Sequence, residues 1–111
     1  MSSTTSAASA GSADPGGSRL NGFLAGIRVV DLSRYLPGPL ATLLLADLGA
    51  DVVKIEGPDG DGIGAIGPRL DGDRGAYYEA ITAGKTVLVL DLKLPAGRDR
   101  LLALLDGADV L

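Results

Sequence analysis

The sequence predicts an α/β fold in which a parallel sheet is assembled from βαβ units. Three observations predict it. Short β-branched runs alternate with leucine-rich segments of helical period. A Pro/Gly turn, Ser33-Arg34-Tyr35-Leu36-Pro37-Gly38-Pro39, joins the first run to the first helix. The connections are short enough to make successive strands parallel neighbours.

Residues 1–22 are mainly Ser, Ala, Gly and Thr with almost no large apolar side chains. They bury too little surface to offset the entropy of ordering, so a disordered leader is expected there, with one folded unit over 23–111. The leader lacks the basic start and apolar core of a secretory signal. Ile27–Leu32 reads as the first strand. Pro39 suits the first position of a helix, and Leu40, Leu43, Leu44 and Leu48 follow the spacing of one buried face. Gly49 is placed to end that helix just past its last turn. Val52–Ile55 reads as the second strand.

From Gly57 to Gly75 the chain is rich in Gly, Asp and Pro. Loops of more than about 12–15 residues tend to be functional or mobile. A short helical turn is expected near Tyr77–Ala83. Thr86–Leu90 is continuously apolar after its first residue, which suits a strand covered on both faces. Pro95 opens a second long helix with Leu101, Leu104 and Leu105 as its buried stripe, and Gly107 closes it. Asp109-Val110-Leu111 reads as the start of a fourth strand, and the sequence is expected to be the opening of a longer protein.

Composition narrows the function classes. With 111 residues there is room for one domain. The net charge of −4 gives no basic stripe for nucleic acid. The longest apolar run, near Leu40–Ala46, is broken by Asp47 and falls far short of the roughly 20 residues of a membrane span. There is no cysteine and no histidine, which removes thiolate chemistry and the side chain best suited to proton transfer near neutral pH. A cytoplasmic protein acting on a small molecule is expected.

Two turns carry candidate chemistry. At Arg34–Pro39 the first amides of the helix favour an anion and Arg34 adds a charged donor; the alternative is an ordinary turn with a solvated arginine. At Asp91-Leu92-Lys93-Leu94-Pro95, Lys93 is placed for a phosphate with Asp91 to orient it, against the alternative of a solvated pair. Leu94 offers no side-chain oxygen to the helix amides that follow. A nicotinamide site is disfavoured. Glu56 ends the βαβ unit in an acid, but one glycine between prolines replaces G-x-G-x-x-G, and Pro37 and Pro39 lack N–H donors. Asp59, Asp61, Asp71 and Asp73 do not have calcium-loop spacing; they read as solvated carboxylates, and no metal site is expected. Tyr77 and Tyr78 read as packing residues.

From Leu24 onward the chain resembles the class III CoA-transferase family, which includes formyl-CoA and carnitine CoA-transferases and the related α-methylacyl-CoA racemases. The resemblance rests on a succession: L-x-G-I-R-V-V-D-L-S, G-P-L-A-T-L-L-L-A-D-L-G-A-D-V-V-K-I-E, A-Y-Y, G-K, L-D-L-K-x-P-x-G-R and A-D-V-L. It implies the N-terminal portion of a Rossmann-like large domain from a chain several times longer, two copies of which interlock as a homodimer. It implies no tightly bound cofactor, with coenzyme A as substrate, passed between an acyl-CoA and a small carboxylic acid by way of an Asp nucleophile. It places CoA contacts at Leu36 and Pro37 and at Leu90, Asp91, Leu92 and Lys93, with Arg34 adjacent. No aspartate of this chain matches the nucleophile, so no catalytic residue is assigned. Basic residues usual in the family are absent: Gly57 and Gly64 stand where Arg is expected, and Gly84-Lys85 is what remains of N-x-G/N-K-R. A racemase parent, in which acid–base residues move the α-proton, and a non-catalytic CoA-binding or assembly subunit with a partner chain both remain open.

Overall fold

The computed structural model describes residues 22–72 and 74–111. The leader expected over 1–22 lies outside the described residues except for Gly22, as does Asp73 of the acidic loop. The order of elements is β1 (Arg28–Asp31), α1 (Pro37–Asp47), β2 (Asp51–Glu56), a 3-10 turn (Gly62–Ala65), α2 (Ala76–Thr82), β3 (Thr86–Val89) and α3 (Pro95–Asp106). The three strands are parallel in the order β1-β2-β3, with Arg28 opposite Asp51 and Val53 opposite Thr86. Val110 bridges to Val29 on the free side of β1, where the Val30 amide donates to the Val110 carbonyl at 2.9 Å. The expected fourth strand therefore begins beside β1. Read across the sheet, the order is β3-β2-β1, with the Val110 bridge on the far side of β1.

The two faces of the sheet bury different partners. Val29, Ala50 and Val52 form one cluster, against which Leu24, Ile27, Leu45 and Ala46 pack. Val30, Val53 and Ile55 form the other, covered by Leu88, Leu90, Leu101, Leu104 and Leu105. Successive strand residues point to opposite faces, so α1 covers one side and α3 the other. The leucine stripe expected of α3 does meet the sheet.

The stripe expected of α1 does not hold in full. Leu40 and Leu44 are 43% and 57% exposed, while Pro39 is buried and Leu45 and Ala46 meet the core. The helix is apolar almost all round, so periodicity cannot select which side faces inward. It also begins two residues early, at Pro37. Its end is as expected: Gly49 has φ 103°, its amide donates to Ala46 at 3.0 Å, and the Ala50 amide donates to Leu45 at 3.1 Å. This is a Schellman closure, which needs a left-handed residue at Gly49.

The strand β3 was expected to be covered on both faces. It lies at the sheet's edge among the described residues, with Thr86 exposed and Val89 61% exposed. The segment Gly57–Gly75 is more regular than a mobile loop. It holds the 3-10 turn, buries Asp61 and Ile63, and pairs Arg69 with Gly75 in an antiparallel bridge.

Candidate functional site

The carboxyl ends of parallel strands are where doubly wound sheets bind ligands. On the α1 face the apolar residues Val29 and Val52 are followed, two positions along each strand, by Asp31 and Lys54, and then by Glu56. All three charged residues are buried, Lys54 with 1% exposure and Glu56 with 8%. A layer of charge thus caps the apolar core under the Ser33–Pro39 turn.

Each buried charge has a partner, as burial requires. Lys54 Nζ donates to Asp61 Oδ2 at 2.8 Å and to the Ser33 carbonyl at 3.0 Å. Asp61 also accepts from the amides of Tyr35 at 3.0 Å and Ile63 at 3.1 Å. Lys85, just before β3, donates to the Pro39 carbonyl at 2.9 Å and to Asp31 Oδ2 at 3.4 Å. Asp31 further accepts from Thr42 Oγ1 at 2.5 Å, from the Ser33 amide at 2.7 Å and from the Ser33 hydroxyl.

Burial pushes the Asp31 carboxyl up, but the Ser33 and Thr42 hydroxyls, the Ser33 amide and the Lys85 ammonium outweigh it and hold it below the ordinary carboxylate value. Asp61 is likewise held low: burial raises it, and the Lys54 ammonium with the Ile63 and Tyr35 amides more than offsets that. Burial lowers Lys85, against the pull of Asp31. Asp61 is therefore not the solvated carboxylate expected from its Gly/Asp-rich surroundings. Composition indicated solvent, while the fold turned that one side chain inward.

Glu56 accepts from the Tyr78 hydroxyl at 2.7 Å. Tyr78 is thus more than a packing residue, and burial together with the Glu56 carboxylate pushes its phenol up to about 12. A raised phenol stabilises the fold below the free value of 10.0 and loses that contribution as pH climbs through about 12. The thermal stability of the wild type is expected to fall between those pH values, while Tyr78→Phe loses less there. Parallel alkaline profiles for the two proteins would count against the Tyr78–Glu56 link. Glu56, Tyr78, Asp61, Arg74 and Glu79 line a cleft of about 270 Å³ beside the loop. Among the described residues no group of three or more acidic, His or Cys side chains is arranged to hold a metal ion.

The residues expected from sequence fall on both sides of β2. Leu36, 51% exposed, precedes Pro37 at the exposed start of α1. Arg34 extends over the loop, its guanidinium within 3.5 Å of the Gly60 carbonyl and beside Gly57. Leu90 continues the ladder from β3 with its amide on the Glu56 carbonyl at 2.8 Å. Asp91 and Leu92 are half-buried, and Lys93 is exposed. Asp91 accepts from the Lys93 backbone amide at 3.0 Å, so its carboxylate shapes the turn. No side chain caps the start of α3 at Leu94.

Tyr35 is a non-glycine residue with φ 65°. That conformation is uncommon for a bulky side chain and persists only where the surroundings over-determine it; here Asp61 holds the Tyr35 amide. The roles of Asp31, Lys54 and Glu56 were missed in the sequence. The available signal was charge at alternating positions toward the ends of strands, which puts those residues on one face.

A sequence profile of CoA-transferase family III matches residues 24–111. A succinyl-CoA:mesaconate CoA-transferase from Haloarcula hispanica is 46% identical over 94 residues, which cover 81% of this chain and 24% of that protein. A succinate–glutarate CoA-transferase from Agrobacterium fabrum is 46% identical over 95 residues, covering 79% and 24%. The crystal structure of a CAIB/BAIF family protein from Brucella suis superposes with a TM-score of 0.72 at 39% identity, covering 78% of this chain and 24% of the other. The chain spans about a quarter of the length of these relatives. Within the described residues no helix is long and apolar enough to cross a membrane.

Proposed function

The chain belongs to CoA-transferase family III, and from that premise we propose that it supplies one edge of a coenzyme A site in a protein that moves CoA between an acyl-CoA and a carboxylic acid. The observation that carries the reading is placement. Both turns, Ser33–Pro39 and Leu90–Leu94, lie at the carboxyl ends of parallel strands, the ligand side of such a sheet. Leu36 and Pro37 offer an exposed apolar surface to the pantetheine or adenine part of CoA. Lys93 and the uncapped amides of α3 offer charge and N–H donors to its phosphates. Arg34, held beside Gly57, adds a cation where this chain has no arginine of its own at 57.

In this reading the residues present bind and orient CoA, and the attacking carboxylate comes from outside the 111 residues. The carboxylic acid acceptor and the second copy of an interlocked dimer belong to the same larger assembly. The chain alone is therefore expected to show no CoA transfer, and measurable turnover by the purified 111-residue protein would overturn that assignment.

Binding is tested by calorimetric titration with CoA beside NAD. Saturable binding of CoA in preference to NAD is expected, weakened about fivefold or more by Lys93→Ala through loss of a charged contact. A chain indifferent to CoA would remove the proposal.

A further inference from the structure

We propose that Lys54 and Lys85 are positioning residues: two buried lysine–aspartate pairs hold the Ser33–Pro39 turn in its binding shape without touching the ligand. The inference rests on the CoA reading for what the turn binds, and on geometry for how it is held. Prolines at 37 and 39 remove two of the turn's seven backbone N–H groups. The turn's bracing comes from below.

Lys54 donates to the first carbonyl of the turn, at Ser33, and Lys85 to the last, at Pro39. Each lysine is paired with an aspartate that accepts an amide of the same turn: Asp61 from Tyr35, and Asp31 from Ser33. Each pair therefore grips the turn by one carbonyl and one amide. The side chains of both pairs are at most 1% exposed, so solvent does not compete for these bonds. The left-handed Tyr35 is itself one of the gripped residues, with its amide on Asp61.

The arrangement joins four separate parts of the chain to one loop. Lys54 comes from β2, Asp31 from β1, Asp61 from the segment after β2 and Lys85 from the corner before β3. Thr42, one turn into α1, is a third residue donating to Asp31, after Lys85 and Ser33. The turn's shape is thus a property of the assembled sheet end.

The test removes both charges of a pair together, so that no unpaired ion is buried. Asp31→Asn/Lys85→Met is compared with wild type by amide hydrogen exchange and by CoA titration. Faster exchange in the turn, by about tenfold or more, is expected from loss of one grip, first at Ser33, whose amide Asp31 holds, and then at nearby Tyr35, with Val52 and Val53 in β2 as protected as before and CoA binding weakened by a similar factor. Lys85→Arg, which keeps the charge and its donors, is expected to retain most of the turn's protection. Unchanged exchange in the turn would overturn the proposal. If the wild type does not bind CoA, the functional reading fails, and exchange in the turn still decides whether the lysines position it. Should the first variant lose protection throughout the sheet, Lys54→Met/Asp61→Asn tests the other grip by the same readout, and turn exchange equal to wild type there overturns the proposal.

Discussion

Replacing Lys54 alone with methionine is expected to cost about 3–5 kcal/mol, the usual penalty for stranding one member of a buried ion pair. Methionine fills much the same volume, so the loss is electrostatic. Asp61, with 1% of its side chain exposed, would keep only its backbone donors, and the Ser33 carbonyl would lose the ammonium. Against a total of about 5–15 kcal/mol for a small domain, this is a large share of the margin. A urea titration followed by far-UV circular dichroism measures it, and a midpoint within error of wild type would show that the pair carries no such weight. The deficit should also depend on pH with a definite sign. Asp31 and Asp61 are held below the ordinary carboxylate value of 3.8, so wild type keeps their contribution above that value and loses it as pH falls through their lower folded values. Without Lys54 the buried Asp61 is relieved by protonation, so the gap between variant and wild type narrows in acid.

Gly97→Ala is expected to destabilise by about 3 kcal/mol, toward the upper end of overpacking penalties. A Cβ built on Gly97 runs into the carbonyl of Asp91, and its next contact is the carbonyl carbon of the same residue. Both are backbone atoms of the turn before α3, so neither can swing aside. Alanine's better helix propensity returns about 1 kcal/mol at most, and the clash wins. Gly62→Ala meets a side chain instead, the Tyr35 phenol; it is expected to leave the melting temperature nearly unchanged while displacing that ring. Equal melting temperatures for the Gly97 and Gly62 variants would contradict this contrast.

Much of the fold was legible because local chemistry and period agreed. Val52–Ile55 is β-branched apart from Lys54, Thr86–Val89 is β-branched or apolar, and each became a strand. Gly49 was readable because a helix closing into a strand needs a residue that tolerates positive φ. The buried side of α1 was not readable, since leucine and alanine surround the helix and only contact with Val29 and Val52 distinguishes Leu45 from Leu44. The two sheet-edge turns were visible as Pro- and Asp-containing breaks after apolar runs. What supports the first of them was hidden, because Asp61 and Lys54 are seven residues apart in sequence, and Lys85 and Asp31 are 54 apart. Long-range pairs of this kind leave no local pattern.

The layer of buried charge also acts as a lock on strand alignment. Valines face valines along β1 and β2, so a shift of two residues would keep every apolar side chain on its proper face. It would not keep the charges satisfied. In the native alignment Asp31 lies opposite Lys54. Sliding β1 forward by two places would set Asp31 against Glu56, carboxylate beside carboxylate; sliding it back would set Asp31 opposite Val52 and leave Lys54 beyond the end of β1. The hydrophobic pattern permits several alignments of these strands, and the ions select one.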